Sequence, residues 1–215
     1  MSKPMIHNAD ELEALAQRMG LLPFFSCGIP GFSIEDFTPS RFWFAEGVDG
    51  PWEWRMDVAR RGVVAYGKLF HNKAGLVSRE WYPDLANYRR DGYDFDARYE
   101  DGLAGYKEKC IMDVLLRDGP TLSKDLKKAA GFGGGGMKDF DTAITRLQMQ
   151  TYVTVHSFEY IAAPPRSLAS PVQWPGTAGP AARCTPRPPP SPRHTPAHAL
   201  PWRSSARTPG PPATA

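Results

Sequence analysis

The chain changes composition at residue 163, and that break limits what can fold. From there to Ala215 it carries 15 of its 22 prolines, ten alanines and six arginines, and no Asp, Glu, Lys, Asn, Ile, Phe, Tyr or Met. Fixing a backbone costs about 1–2 kcal/mol per residue, and a stretch this poor in apolar residues cannot offset that cost. Residues 163–215 are therefore predicted to be a disordered, low-complexity Pro/Ala/Arg-rich tail with polyproline character. Residues with AT-rich codons are missing from it, which points to a GC-rich coding region read out of frame. The alternative is a genuine Pro-rich linker or SH3-type ligand.

Setting the tail aside changes the electrostatic reading. The whole chain has a formal charge of +3, but residues 1–162 hold 20 Lys and Arg against 23 Asp and Glu. A globally basic nucleic-acid binder is excluded, while a local basic face is not, because steering depends on how charge is distributed. Cys27, Cys110 and Cys184 are far apart, with no Cys-x-x-Cys pair and no charged leader before an apolar run, so the chain reads as cytoplasmic with reduced thiols. Cys110 falls in a helical apolar pattern and reads as core. No apolar run approaches the roughly 20 residues that a membrane span needs.

Within residues 1–162 the periodicity alternates between helix and hairpin. Leu12, Leu15, Ala16 and Met19 have helical spacing after a cap candidate at Asn8 or Asp10, and Gly20 stops that helix. Ser33-x-x-Asp36 has the form of an N-terminal cap, and Pro39 can open another turn. Pro51 to Arg61 reads as a helix, with Trp54 and Val58 four apart. GVVAYGKLF and GLVSREWY then form a hairpin around His71-Asn72-Lys73-Ala74-Gly75. The plan recurs. Gly105 to Arg117 is a helix ended by Asp118-Gly119-Pro120, Thr121 and Ser123 cap a short one through Ala130, and Phe140, Ile144 and Leu147 mark a third. TYVTV and FEYI follow as a strand pair around His156-Ser157. The fold class is thus α+β, with tandem winged-helix-like modules made of helices plus β-hairpin wings. Residues 1–100 form a module with a Trp-rich core and residues 101–162 a winged helix-turn-helix, whose third helix usually enters the major groove.

Candidate chemistry is sparse. Gly133 to Gly136 lacks the preceding strand and the Gly-Lys-Ser/Thr of a phosphate loop and reads as a connector. Asp91, Asp94, Asp96, Glu100 and Asp101 do not have EF-hand spacing, so no metal and no cofactor is implied. They read as a salt-bridged linker with Tyr88, Tyr93, Phe95 and Tyr99 packed beneath. Trp52, Glu53, Trp54, Arg79 and Trp81 could line a pocket, since a tryptophan cluster can stack on an unpaired base, although such residues also make a core. Lys124, Lys127, Lys128, Lys138, Thr142, Thr145 and Arg146, with Lys73 in the first wing, are placed to contact DNA phosphates.

The runs FWFAEGVDGPWEWR, AYGKLFHNKAGLVSREWYPDLANYRRDGYDFDARYEDGLA and TAITRLQMQTYVT resemble bacterial proteins described as related to AlkZ, the winged-helix DNA glycosylases, over about residues 8–162. The resemblance implies a DNA-binding, repair-associated protein. Glycosylases of this kind are tandem winged helices that excise alkylated bases with a Gln-apolar-Gln or Gln-apolar-Asp motif positioning a water. This chain has Gln148-Met149-Gln150, at the end of a helix and not near the N-terminus as in that family, and a low-complexity tail where that family has a third winged helix. Gln148 and Gln150 are the candidate catalytic amides of a metal-free glycosylase. The alternative is a non-enzymatic winged-helix module that binds a protein or a small ligand, a common use of such folds.

Overall fold

Helix α1 (Ala9–Met19) starts where Asn8 Oδ1 accepts a hydrogen bond from Glu11 N at 2.9 Å, and Gly20, at φ +76°, ends it. The computed structural model describes residues 5–43, 47–159 and 166–171. Strand β1 (Leu21–Pro23) and the short helix α2 (Ile34–Phe37) follow, the latter capped by Ser33 Oγ. A 3-10 turn at Ser40–Phe42 leads toward α3 (Pro51–Arg61), which opens on proline and whose Glu53 Oε2 accepts from Gly50 N at 2.9 Å. A side chain at position 50 would have its Cβ only 1.7 Å from the Phe42 carbonyl oxygen, so glycine is required by space.

The hairpin β2 (Val64–Phe70) and β3 (Lys73–Ser78) forms as expected, but its turn is shorter than the five residues expected. His71 and Asn72 alone make it, at φ +46° and +65°. Two residues of positive φ match the right-handed twist of the flanking strands, so Lys73, Ala74 and Gly75 can join the ladder.

The expected linker between modules is instead two helices, α4 (Tyr82–Arg90) and α5 (Phe95–Glu100). Pro83 lies in the first turn of α4 and Asp94 Oδ1 caps α5 through Ala97 N at 2.8 Å. Acid-rich composition concealed both, because the helical stripe is short: Tyr82, Ala86 and Phe95 are buried, while Tyr88, expected beneath, is 85% exposed.

Helix α6 (Tyr106–Asp118), strand β4 (Thr121–Leu122) and helices α7 (Ser123–Ala129) and α8 (Phe140–Met149) complete the helical part. The expected caps on α7 are not used that way. Leu122 occupies the cap position, and Thr121 Oγ1 donates to Gly119 O at 2.8 Å.

The last expected strand pair is corrected. Val153–Glu159 is one strand, β5, and its partner is β6 (Arg166–Pro171), inside the segment expected to be tail. The register shifts between Val155 and Ser157. A bulge absorbs one residue and changes which side chains face inward, so the polar pair His156-Ser157 imitates a turn while Ser157 and Phe158 stay buried. Tyr160 and Ile161 of the expected pair, and residues 172–215 of the expected tail, lie outside the described residues.

All six strands form one antiparallel-paired sheet in the order β1-β3-β2-β5-β6-β4, so the chain is a mixed helix and sheet fold. Its first core gathers α1, α3 and the hairpin around Phe24, Trp54 and Tyr66, and takes in Val155 and Phe158 of β5. A second gathers α6, α7 and α8 around Ile111, Leu126 and Leu147, and takes in Ala169 of β6. A third, small one places Tyr82 and Ala86 under Leu69 and Val77. Among the described residues no helix is long and apolar enough to cross a membrane.

Candidate functional site

The feature that builds a site is an irregularity in β2. The β2–β3 register shifts between Gly67 and Phe70, which takes Lys68 N out of the ladder. Gln148 of α8 answers it: its Oε1 accepts from Lys68 N at 2.7 Å. Gly67 leaves room for this approach, since a Cβ there would lie 3.3 Å from that oxygen. The Lys68 side chain then reaches α8 a turn earlier, with Nζ 3.3 Å from Thr145 Oγ1.

The end of α8 is held just as firmly. Arg89 Nη1 donates to Met149 O at 2.8 Å and Nη2 to Leu69 O at 2.5 Å, tying helix and hairpin together. Thr151 follows at φ +66°, a conformation that favours glycine and strains a β-branched residue. Three groups hold it there: Tyr82 Oη donates to Thr151 O at 2.8 Å, Arg90 Nε to Thr151 Oγ1 at 3.3 Å, and Arg90 Nη2 to Thr151 O. Burial lowers both arginines from the ordinary guanidinium range and pushes the Tyr82 phenol well above the ordinary one. The last carbonyls of a helix carry partial negative charge, which these cations complement.

Between hairpin and helix lies a cavity of about 510 Å³, walled by Lys68 and Asn72 on one side and by Thr142, Thr145, Arg146 and Met149 on the other. Arg146 is aimed by Glu108 of α6. Its Nη1 lies 2.5 Å from Glu108 Oε1, and that carboxylate is 4% exposed while the arginine is 58% exposed. A second cavity of about 470 Å³ lies by the start of α8, lined by Lys127, Lys138, Gly133 and Phe140. Asp141 and Thr142 belong to both, so the two meet on the open side of α8. Four cations face this groove against Asp139 and Asp141, and Asp139 is already paired with Lys107 at 2.8 Å.

Of the residues expected to contact DNA, Lys127, Lys138, Thr142, Thr145 and Arg146 come together here, whereas Lys73, Lys124 and Lys128 line neither cavity. Lys68 and Asn72 were missed. A lysine inside the apolar run VAYGKLF was the available signal for the first. The five expected pocket residues are not brought together. Trp52 stacks on Phe24 at 5.4 Å and Trp54 is core, Glu53 is occupied at the start of α3, Arg79 is exposed beyond β3, and Trp81 lies 51% exposed against Gly20.

Gln148 and Gln150 also part company. Helix α8 runs through Met149, which turns residues two apart by about 200°. Gln148 Oε1 accepts from Lys68 N, and Gln150 Oε1 is buried without a hydrogen-bond partner. Among the described residues no group of three or more His, Cys, Asp or Glu is placed to hold a metal ion.

No curated protein and no solved structure matches the chain. A family model described as AlkZ related matches residues 6–163, the span that contains the hairpin, α8 and the groove between them, and the chain belongs to that AlkZ-related family.

Proposed function

We propose that this protein is a winged-helix DNA-binding protein associated with DNA repair, and that it grips the sugar-phosphate backbone through the groove between the β2–β3 hairpin and α8. The observation that supports this reading best is the convergence of Lys68, Lys127, Lys138 and Arg146 on the open side of α8, in a folded part whose overall charge is slightly acidic. Concentrating cations on one face is what phosphate recognition requires. On this reading residues 1–100 and residues 101–162, the latter with β6 added as the partner of β5, act as tandem winged helices, with Lys68 supplied by the first and Arg146 by the second.

The test is fluorescence anisotropy of the full chain with a labelled oligonucleotide at salt between about 50 and 200 mM. Four phosphate contacts imply a log–log slope of about −3.6 on duplex DNA or about −2.8 on a single strand. Lys68→Ala and Lys138→Ala are each expected to weaken binding equally on all sequences and to reduce the slope by about one. Binding that does not fall with salt would sink the proposal. The protein-interaction reading would then take its place, favoured by Trp81 and Tyr88, which stand 51% and 85% exposed beside Leu85 on or next to α4.

A further inference from the structure

We infer that the groove along α8 receives a single unpaired nucleic-acid strand, and that α8 does not enter the major groove of a duplex as the third helix of a winged helix-turn-helix usually does. The inference rests on the nucleic-acid reading of the site and narrows it. A helix that reads base pairs must stand proud of its surroundings, because the major groove is about 12 Å wide and 8.5 Å deep and a helix with its side chains is about 10–12 Å across. Helix α8 does not stand proud. Six of its ten residues are buried: Phe140, Ala143, Ile144, Thr145, Leu147 and Gln148. On one flank the hairpin is fastened to it by the Gln148 amide and by Lys68 Nζ over Thr145. On the other, α6 supplies Glu108 to hold Arg146. The exposed strip of the helix, walled by the hairpin along its second half and by Lys127, Gly133 and Met137 near its start, is the floor of a channel and not a ridge.

The channel has the form a strand needs. Its two cavities meet at Asp141 and Thr142, and the ten residues of α8 give it a length of about 15 Å at 1.5 Å per residue. Cations stand at both ends, Lys127 and Lys138 by the start of the helix and Lys68 and Arg146 by its second half, with the Thr142 and Thr145 hydroxyls between. The helical rise from Phe140 to Arg146 is about 9 Å, which spans two to three steps of a stacked strand at about 3.4 Å each. No exposed aromatic side chain is among the residues lining either cavity; Phe140, the one aromatic there, is 6% exposed. The backbone is held and the bases are left outside, so binding is indifferent to sequence.

The experiment compares a labelled 20-nucleotide thymidine oligomer with a blunt 20-base-pair duplex, using the full chain and Thr142→Phe. Position 142 is exposed at the junction of the cavities, so a phenyl ring there blocks the channel without entering a core, and circular dichroism checks that the fold is kept. The single strand is expected to bind at least tenfold tighter than the duplex at the same salt, with a slope of about −2.8, and Thr142→Phe to lose at least tenfold on the single strand. A duplex that binds as tightly as the single strand, or undiminished binding by Thr142→Phe, overturns the channel while leaving DNA binding in place. No binding of either oligonucleotide at low salt removes both readings.

Discussion

The two central strands of the sheet, β2 and β5, each carry a bulge, and the two bulges have opposite consequences. In β2 the irregularity lies between Gly67 and Phe70, next to a two-residue turn and a partner that follows at once in sequence. The pairing is local, so the strand is evident, and the freed Lys68 N–H becomes an anchor for α8. In β5 the irregularity falls at Val155–Ser157, and the partners are β2, far back in the chain, and β6, in a stretch with the composition of a tail. A bulge within a locally closed hairpin directs a side chain. A bulge in a strand whose partners are one remote strand and one of tail-like composition hides the strand.

The largest expected effect breaks this comparison at β6. Ending the chain after residue 165 removes one of the two partners of β5 and the partner of β4, and takes Ala169 from the second core. The expected loss is on the order of 3 kcal/mol, or roughly 6–12 °C in Tm for a domain of this size. Ending it after Pro171 keeps every one of these pairs and is expected to shift Tm by less than about 2 °C. Differential scanning calorimetry of the two truncations checks this. Equal melting of both would mean that β6 contributes nothing to the sheet.

A smaller effect concerns Gln148-Met149-Gln150. Gln148→Ala leaves the Lys68 N–H in a part-buried site without its acceptor, and an unsatisfied group of that kind costs about 1–3 kcal/mol. Gln150→Ala removes a buried oxygen that has no partner, so it is expected to be neutral or slightly stabilising. Urea denaturation separates the two. Equal costs would show that the bulge does not depend on the helix.

Helices α1, α3, α6 and α8 and the first hairpin were legible because their signals are local: Asn8, Pro51, Gly119 and the apolar stripes stand within a few residues of what they control. The acceptor of Lys68 lies 80 residues away and that of Arg89, at Met149, 60 residues away. No periodicity carries such a pairing. The groove was therefore legible on the α8 side, through Thr142, Thr145 and Arg146, and not on the hairpin side.

Alkaline pH sharpens the comparison at the link between the two strands. Tyr82 lies in the small core under β2 and β3, and its hydroxyl holds Thr151, just before β5. Burial raises its folded-state pKa far above the unfolded value of about 10. The stability that the neutral phenol contributes is fully present below pH 10. It is lost as pH rises toward the folded pKa, because only the unfolded chain ionises in that window. At pH 11 the expected loss from Tyr82 is on the order of 1 kcal/mol. Burial also raises Tyr66 and Tyr152, which add in the same direction. Tyr82→Phe is expected to be less stable at neutral pH, through its lost hydrogen bond, and to show a flatter decline above pH 10 in chemical denaturation. An unchanged decline would place the alkaline sensitivity elsewhere.

The smallest expected effect is at Asn72, where fold and groove can be separated. Asn72 sits at φ +65° in the two-residue turn and also lines the larger cavity. A side chain with a Cβ pays about 1–2 kcal/mol in the left-handed region, asparagine less than most, and glycine nothing. Asn72→Ala is therefore expected to destabilise by about 1 kcal/mol, and Asn72→Gly by less than about 0.5 kcal/mol, because glycine is at home in this turn. Both remove the same amide from the groove. If that amide meets a sugar oxygen of the strand, a neutral hydrogen bond of about 0.5–1.5 kcal/mol is lost, which is about a two- to tenfold fall in affinity. Asn72→Gly, stable but without the amide, isolates that term. Binding by Asn72→Gly equal to that of the parent chain would confine Asn72 to the turn, and an Asn72→Ala protein as stable as the parent would remove the positive-φ residues as the reason the β2–β3 hairpin closes in a two-residue turn.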